Sequence, residues 1–348
     1  MKAGFMISPE RAERMVQTIS AACCRSGVAR ACEWSRRSHG AMFVRLRLSP
    51  TARHAEPDDW TAETLETTLA IIARRYRVVT IDEAVAGLRG EQPLPRYALV
   101  LVASFTTRLE HIDLPRLLDR LGVPCVVSVS PEPLARGIPP WPVVIRLAIR
   151  QVKADSVDMY GRRWPLSGDM RRRDQVGGEI VRRLYVMPEP ERSARAEELV
   201  ATWGVNPATL PGLTWYDAER LGHSPCITLA AAGLTGDSLL RQPLDRAIYE
   251  LEEARTLMQE RFGAEVRHLD YPWGDWSRVL AEQAARAGYA SGVGDDPSSN
   301  GMNRVGDDIH HLIARPLAAG TPERVRADLA GVLGIDPLRR WATGPPET

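Results

Sequence analysis

Short apolar stretches alternate along the chain with stretches in which apolar residues recur at helical spacing. Residues 41–47 alternate apolar and polar positions and residues 97–104 are almost entirely apolar, and both patterns predict strands. Helical spacing predicts a helix over residues 61–75, and Thr80 is placed to cap another over residues 81–88. Strands that alternate with helices in this way indicate an α/β fold with a mostly parallel sheet covered by helices. Further helices are predicted at 109–121, 214–221, 244–262, 276–287 and 322–333, and further strands at 76–80, 124–130, 226–232, 266–271, 289–293 and 309–314.

The alternation is interrupted between about residues 131 and 211. Two helices are predicted in this stretch, at 174–185 and 190–203, with no strand between them. The stretch is therefore interpreted as a helical subdomain inserted into the α/β unit. A helix is also predicted at 9–37, before the first strand, and its arginines make residues 1–40 a basic N-terminal helical appendage.

Composition excludes several classes of function. The 348 residues include 45 Lys or Arg and 44 Asp or Glu, and the formal net charge of +1 provides no overall field for nucleic acid. The five cysteines lack the paired two-residue spacing of a zinc site and do not indicate a disulfide framework. No apolar stretch is long enough to span a bilayer, and the start lacks an apolar core of signal-peptide length. A cytoplasmic location is the resulting expectation.

The basic N-terminal segment contains two adjacent cysteines, Cys23 and Cys24, close to Arg25 and Arg30. Acylation of these thiols would give the appendage a peripheral contact with a membrane surface. A free or buried pair of thiols is the favoured interpretation, and the role of this helix stays open.

The strand at 97–104 ends in the most informative motif, Ser104-Phe105-Thr106-Thr107. This motif resembles the strand-end motif of polysaccharide deacetylases, in which the corresponding residues are Thr-Phe-Asp-Asp. In that family the first Asp is the general base and the second binds a catalytic divalent metal such as zinc, so the resemblance assigns these roles to the positions of Thr106 and Thr107. A threonine hydroxyl has no accessible anionic form near neutral pH and is a poor ligand for a Lewis-acid cation. Both functions are expected to be absent.

A second family motif contains two histidines that complete the metal site. Alignment on the helix that follows places these histidines at Ala232 and Gly236, which offer no donor atom. An alternative register anchored on His223 places Thr228 and Ala232 there, so the loss does not depend on the register. The first strand also departs from the family pattern. Residues 42–46 are Met-Phe-Val-Arg-Leu, where many members of the family have Met-Tyr-His-Arg-Val. The resemblance therefore implies that no metal cofactor is bound.

The best preserved motif is Arg267-His-Leu-Asp-Tyr-Pro-Trp-Gly274. It resembles the family motif Arg-His-Phe-Ala-Tyr-Pro-Tyr-Gly, which follows a strand and lines the sugar groove. The resemblance covers roughly residues 41–320 and implies a deformed (β/α) barrel of polysaccharide deacetylase type for residues 41–348. Sites of such barrels lie at the carboxyl ends of the strands, so the motif residues should gather there. The resemblance assigns sugar contacts to Asp270, Tyr271, Pro272 and Trp273.

Asp307, Asp308, His310 and His311 offer an alternative metal site. Hard or borderline cations accept both carboxylate and imidazole ligands. On a strand, however, successive side chains point to opposite faces, so His310 and His311 could not readily share one ion. A solvated turn is the favoured interpretation of this segment.

Three hypotheses for function follow. The first is a deacetylase-like pseudoenzyme that binds an N-acetylated polysaccharide or oligosaccharide, or a partner, in surface-polysaccharide metabolism. The second is an active carbohydrate de-N-acetylase with a rearranged site that uses Asp270, Asp275, His268 or His310. The third is a non-catalytic scaffold subunit whose groove has no ligand.

Overall fold

The computed structural model describes residues 9–35, 40–48, 60–104, 107–108, 112–159, 161–166, 168, 170–188, 191–296, 299–317 and 319–331. Its main sheet closes on itself, because the first strand pairs in parallel with both the third and the eleventh. Seven parallel strands make up the closed part, and a short parallel strand and an antiparallel one extend it. The predicted α/β class and deformed (β/α) barrel are confirmed.

The described residues form eleven strands, nine of them in the barrel sheet and two in a separate antiparallel hairpin. The sheet order is β10-β1-β11-β9-β8-β7-β4-β3-β2, and β1 also pairs with β3. The strands are β1 (Gly40–Arg47), β2 (Arg77–Val78), β3 (Ala98–Ser104), β4 (Cys125–Val129), β5 (Ser156–Met159), β6 (Arg162–Pro165), β7 (Ile227–Ala231), β8 (His268–Asp270), β9 (Ser291–Asp295), β10 (Met302–Arg304) and β11 (Leu312–Leu317).

Thirteen α-helices lie within the described ranges, most of them around the barrel. Short 3-10 turns occur at Pro207–Thr209, Leu239–Arg241, Pro272–Gly274 and Ile309–His311. The helices are α1 (Pro9–Arg25), α2 (Val28–Ser35), α3 (Ala62–Arg75), α4 (Ile81–Leu88), α5 (Leu114–Leu121), α6 (Pro131–Arg136), α7 (Trp141–Gln151), α8 (Met170–Tyr185), α9 (Glu191–Thr202), α10 (Trp215–Gly222), α11 (Leu244–Phe262), α12 (Arg278–Arg286) and α13 (Pro322–Leu329).

Local capping chemistry fixes where the first barrel helices begin. Thr80 Oγ1 accepts a hydrogen bond from the Glu83 backbone N–H at 3.1 Å, and the Glu83 carboxylate accepts one from the Thr80 N–H at 2.8 Å. Thr61 and Thr64 form the equivalent pair at the start of α3. These reciprocal bonds satisfy backbone donors that the first helical turn leaves free. The predicted start of α4 is confirmed, and α3 begins one residue after its predicted start.

Alternation along the strands divides the core into two layers. Phe43, Val102 and Val293 pack together inside the barrel, whereas Leu46 packs in the layer between the sheet and the helices. Side chains two residues apart on a strand share a face, so Arg45 follows Phe43 into the barrel interior. The interior is therefore apolar along most of its length and carries a buried cation near the carboxyl ends of the strands.

The chain between β4 and β7 contains α6 to α10 and the β5–β6 hairpin. Buried apolar residues of α7, α8, α9 and the hairpin, among them Ile145, Ile180 and Leu184, form a core separate from that of the barrel. The two predicted helices of this segment correspond to α8 and α9. The hairpin was not predicted, because each of its strands is only four residues long and shows little apolar alternation.

Two predicted elements differ from the structure, and a short barrel strand was missed. The helix predicted at 9–37 is two helices, which are separated near Gly27, a residue with a φ of +79°. The strand predicted at 309–314 is wrong in its first half, since residues 309–311 form a 3-10 turn before β11 begins at Leu312. Strand β10 was not predicted, because its Met-Asn-Arg sequence carries no strand pattern.

The N-terminal helix α1 packs against α13, and Cys24 Sγ donates a weak hydrogen bond to the backbone oxygen of Glu323 at 3.5 Å. Burial raises the pKa of the Cys24 thiol, and the charge of Arg326 opposes that shift only in part. No helix within the described ranges has the length and apolar character needed to cross a membrane. The division of the chain at residue 40 stays a prediction.

Candidate functional site

A cavity of about 310 Å³, named here the barrel cavity, lies at the carboxyl ends of the barrel strands. Its floor carries Arg45, Ser104, Asp270 and Asp295, which come from β1, β3, β8 and β9. Its wall is mainly apolar and includes Val129, Leu134, Pro142, Val143, Leu213 and Pro272. A pocket of this size at this end of a barrel is the expected place for a ligand.

A buried ion-pair network forms the floor. Arg45 Nη1 donates to Asp270 Oδ2 at 2.7 Å, and Arg45 Nε donates to Asp295 Oδ1 at 2.7 Å. Ser104 Oγ accepts from Arg45 Nη1 at 2.8 Å and donates to Asp270 Oδ2 at 3.2 Å. Asp270 Oδ2 is thus held by both a cation and a hydroxyl.

The charges of the floor stabilise one another. Burial alone would lower the pKa of Arg45, but the charges and hydrogen bonds of Asp270 and Asp295 outweigh burial, so the pKa lies above its ordinary value. Two buried polar atoms of the network, Arg45 Nη2 and Asp270 Oδ1, have no hydrogen-bond partner among the described residues. Buried polar atoms nearly always have partners in folded proteins. These two atoms therefore mark the floor as a place where a ligand could bind.

The residues at the expected metal-ligand positions do not fit a metal. Ala232 and Gly236 line the barrel cavity but have no donor atom. Thr107 is buried, forms an isolated bridge with Gly212 next to the cavity wall, and offers one neutral hydroxyl. In the part of the chain that the structure describes, no three His, Cys, Asp or Glu side chains are grouped to hold an ion. Thr106, the family position of the base, lies outside the described residues.

The best preserved motif, residues 267–274, forms a tight turn at the edge of the cavity. Asp270, Tyr271, Pro272 and Trp273 all line the cavity. Tyr271 is only 1% exposed and donates its hydroxyl to the backbone oxygen of His310 at 2.7 Å, so it is part of the wall and not an exposed platform. Burial, assisted by the charge of Asp308, raises the pKa of Tyr271 above its usual range.

Trp273 is the exposed aromatic residue of the motif, with 37% of its surface accessible. Its ring stacks on Trp141 at a centroid distance of 5.6 Å and lies 4.9 Å from the ring of Tyr185. Both neighbours belong to the segment between β4 and β7, and Arg192 of that segment forms a buried ion pair with Asp237 close by. Together Trp141, Tyr185 and Trp273 form an aromatic cluster that joins the segment between β4 and β7 to the rim of the cavity.

Asp275 lies beside this cluster. Its carboxylate accepts a hydrogen bond from Ser238 Oγ at 2.6 Å and another from the Tyr185 hydroxyl. Burial, with a further contribution from the charge of Asp295, raises the pKa of Asp275 to about 6. The folded protein therefore favours the neutral form of this carboxyl relative to the unfolded chain.

Replacing Asp275 by asparagine should alter the pH dependence of stability. Because the pKa of Asp275 is higher in the folded state, the wild type loses stability as the pH rises from about 4 to 6 and the buried carboxyl becomes charged. The side chain is partly exposed, so the cost above that range should be about 1 kcal/mol. We expect Asp275→Asn to gain stability relative to the wild type as the pH rises through 6, measured by urea unfolding at several pH values. A difference that stays constant from about pH 4 to 7 would contradict this assignment.

The histidines considered for a rearranged site lie away from the cavity. His268 is buried, and its Nδ1 is 2.9 Å from Ser291 Oγ while its Nε2 is 3.2 Å from an Asp82 carboxylate oxygen. His310 Nε2 lies 2.8 Å from the backbone oxygen of Tyr289. Neither histidine lines the cavity. The structure brings only Asp270 of the proposed acid/base residues to the floor.

The segment with adjacent aspartates and histidines is a turn. Asp308 Oδ1 accepts from the His310 backbone N–H at 2.9 Å, and Asp307 Oδ2 accepts from the Arg304 N–H at 2.7 Å. Both carboxylates therefore serve local backbone groups. Burial lowers the pKa of His311, which stacks on Trp276.

Sequence reasoning missed the central residues of the floor. Arg45 was noted only as part of a departing strand motif, and Asp295 was not singled out. The signal for Arg45 was present in the alternation of β1, because its position two residues after Phe43 places it inside the barrel. No sequence signal identified Trp141 and Tyr185, which reach the cavity rim only through the packing of the inserted segment.

Comparison with known proteins supports the fold. The chain resembles the Streptococcus pyogenes deacetylase PplD in complex with acetate, with a TM-score of 0.53 and 9% identity over 86% of this chain and 100% of that one. It also resembles BC0361, a polysaccharide deacetylase from Bacillus cereus, with a TM-score of 0.50 and 8% identity over 84% of this chain and 69% of that one. No protein-family model and no curated protein matches the sequence. The chain has the fold of polysaccharide deacetylases at very low sequence identity.

Proposed function

We propose that this protein is a deacetylase-like pseudoenzyme that binds a unit of an N-acetylated glycan in the barrel cavity without hydrolysing it. The observation that carries the proposal is the buried network of Arg45, Asp270 and Asp295 in a cavity where two of the expected metal-ligand positions, Ala232 and Gly236, have no donor atom. A metal-dependent hydrolase needs an ion that lowers the pKa of water and a base that accepts its proton. The floor offers neither, since its carboxylates are engaged by a guanidinium.

The shape of the site supports glycan binding. A volume of about 310 Å³ lies at the lower end of the range for small-ligand pockets, and the mainly apolar wall with a few polar groups on the floor is typical of such pockets. Trp273 lies at the rim with 37% of its surface exposed, and its ring is held there by Trp141 and Tyr185. Aromatic faces offer apolar area to the C–H side of a pyranose while polar groups bind its hydroxyls. The fold shared with polysaccharide deacetylases makes an acetylated glycan the leading ligand.

The rival hypothesis of an active, rearranged de-N-acetylase has less support. It requires a base and an acid near one reacting atom. Asp270 is paired with Arg45, and His268 and His310 make their contacts outside the cavity. Asp275 is the remaining candidate acid or base and lies near the rim. Its carboxylate accepts hydrogen bonds from the side chains of Tyr185 and Ser238.

We also propose a cytoplasmic location and a role in surface-polysaccharide metabolism. The proposed peripheral contact with a membrane through the basic N-terminal helix stays a prediction, as does the functional state of the adjacent thiols. Cys23 and Cys24 are free and partly buried, which supports a packing role for them.

Replacement of Trp273 by alanine tests the proposed site. We expect at least about tenfold weaker binding of N-acetylglucosamine oligomers, because a rim platform is lost. The unfolding free energy should fall by only about 1–3 kcal/mol, the contribution of two aromatic pairs. Isothermal titration and thermal melting measure the two effects.

A matched control is Tyr216→Ala, since Tyr216 is 68% exposed on α10 and does not line the cavity. This variant should bind like the wild type. If the wild type binds no glycan and Trp273→Ala melts at a much lower temperature, the glycan proposal fails and the scaffold hypothesis is favoured.

A further inference from the structure

Apolar side chains from five segments of the chain form the wall of the barrel cavity. They come from β4, from α6, from α7, from the residue before the cap of α10 and from the turn after β8. These residues are Val129, Leu134, Pro142, Val143, Leu213 and Pro272. Among the described residues of the lining, the charged ones are confined to the floor. A ligand that fills this cavity therefore needs an apolar part that packs against the wall.

Most hydroxyl groups along the lining already donate to other groups of the protein. Ser130 Oγ donates to the backbone oxygen of Ala232 at 2.7 Å, and the Tyr271 hydroxyl donates to another backbone oxygen at 2.7 Å. Ser104 Oγ belongs to the floor network, where it both accepts and donates. Among the described lining residues, Ser128 carries the remaining hydroxyl. The cavity thus offers few side-chain partners to a ligand with many hydroxyls.

These two features favour an apolar substituent over a sugar ring inside the cavity. A pyranose carries hydroxyls around its ring, and each hydroxyl that is buried without a partner weakens binding. An acyl chain has no polar atom beyond its carbonyl group and gains affinity from every methylene that leaves water. At the rim, a sugar ring beside Trp273 keeps its hydroxyls in water while its C–H side contacts the exposed part of the indole.

We infer that the barrel cavity receives an acyl chain longer than acetyl, carried by a sugar unit that lies at the rim beside Trp273. The inference rests on the proposed function, which supplies the sugar unit, and it names the substituent by which that unit is held. An acetyl group presents a single methyl to the wall. In a cavity of about 310 Å³, one methyl cannot lie within the roughly 4.5 Å that defines a contact from apolar side chains of all five segments. A chain with several methylenes reaches more of them.

Titration of a chain-length series with the full-length protein tests the inference. The probes are N-acetylglucosamine, N-butanoylglucosamine and N-hexanoylglucosamine, which share the sugar and the amide and differ in the number of methylenes. We expect the butanoyl form to bind about tenfold more tightly than the acetyl form, because two further methylenes leave water. Hexanamide, which lacks the sugar, should bind more weakly than N-hexanoylglucosamine.

Val143→Thr places a hydroxyl in the wall with little change of shape. Val143 is a half-buried residue of α7 that lines the cavity, and replacing one of its methyl groups by a hydroxyl makes the wall less apolar. We expect the preference for the butanoyl over the acetyl form to fall by about threefold. The matched control is Val279→Thr on α12, which is 48% exposed and does not line the cavity, and it should keep the preference of the wild type. The series with the wild type tests the inference even if Val143→Thr does not fold.

The outcomes separate the inference from the proposed function. Equal or tighter binding of the acetyl form would overturn the inference and leave the proposed function standing. Binding of hexanamide as tightly as N-hexanoylglucosamine would also overturn it, because the chain would then be held without its sugar. An unchanged preference in Val143→Thr would show that the chain does not contact the wall. Failure of every acylated sugar to bind would overturn the proposed function as well.

Discussion

Replacing Arg45 by methionine should lower the free energy of unfolding by about 3–5 kcal/mol. Methionine fills a similar volume but removes the guanidinium that pairs with both Asp270 and Asp295 in the barrel interior. Removing one partner of a buried ion pair is strongly destabilising because the other partner stays desolvated and uncompensated. The loss is a large fraction of the 5–15 kcal/mol that stabilises a typical domain.

Urea unfolding of the wild type and of the variant measures the loss. A matched control is Arg120→Met, which removes an exposed ion pair with Glu66 and should cost less than about 1 kcal/mol. A cost below about 1 kcal/mol for Arg45→Met would contradict the buried network.

Replacing Gly274 by alanine should also be strongly destabilising. Gly274 has a φ of +78°, and a Cβ built there would lie 2.5 Å from Asp295 Cβ and 2.8 Å from its Oδ2. Backbone strain at such a residue costs about 1–3 kcal/mol. The contact would in addition push Asp295 away from Arg45. We therefore expect the free energy of unfolding to fall by more than the cost of backbone strain alone.

Gly263→Ala separates the two contributions. Gly263 ends α11 with a φ of +61°, and a Cβ there would meet nothing within 4 Å. Its substitution should therefore cost only the backbone strain. Thermal melting of both variants tests the argument, and equal losses would show that Asp295 does not constrain the turn at Gly274.

Local sequence signals predicted much of the barrel. The helix at 244–262 has the predicted bounds, and the helix at 81–88 begins after Thr80, the threonine cap that was expected. These features depend on residues within a few positions of one another, which a sequence displays directly. The β5–β6 hairpin and β10 escaped prediction because pairing with neighbours, and not an internal pattern, makes those short segments strands.

The site was predictable only in part, for a related reason. The rule that barrel sites lie at the carboxyl ends of strands correctly brought Ala232, Gly236 and residues 270–273 to one cavity. The floor network was not predictable, because Arg45 lies 225 residues from Asp270 and 250 from Asp295 in the chain. Only closure of the barrel brings these charges together. The contacts of Trp273 likewise depend on how the inserted segment packs.

Acetate release from N-acetylglucosamine oligomers, with and without added zinc, tests the central claim most directly. The claim is that a deacetylase fold holds a glycan site without the chemistry of hydrolysis. Since Thr107, Ala232 and Gly236 cannot supply a metal-binding set, no ion should be positioned to activate water. We predict release at background under both conditions. Acetate release that appears with zinc and disappears with a chelator, or release that Asp270→Asn abolishes, would contradict the account.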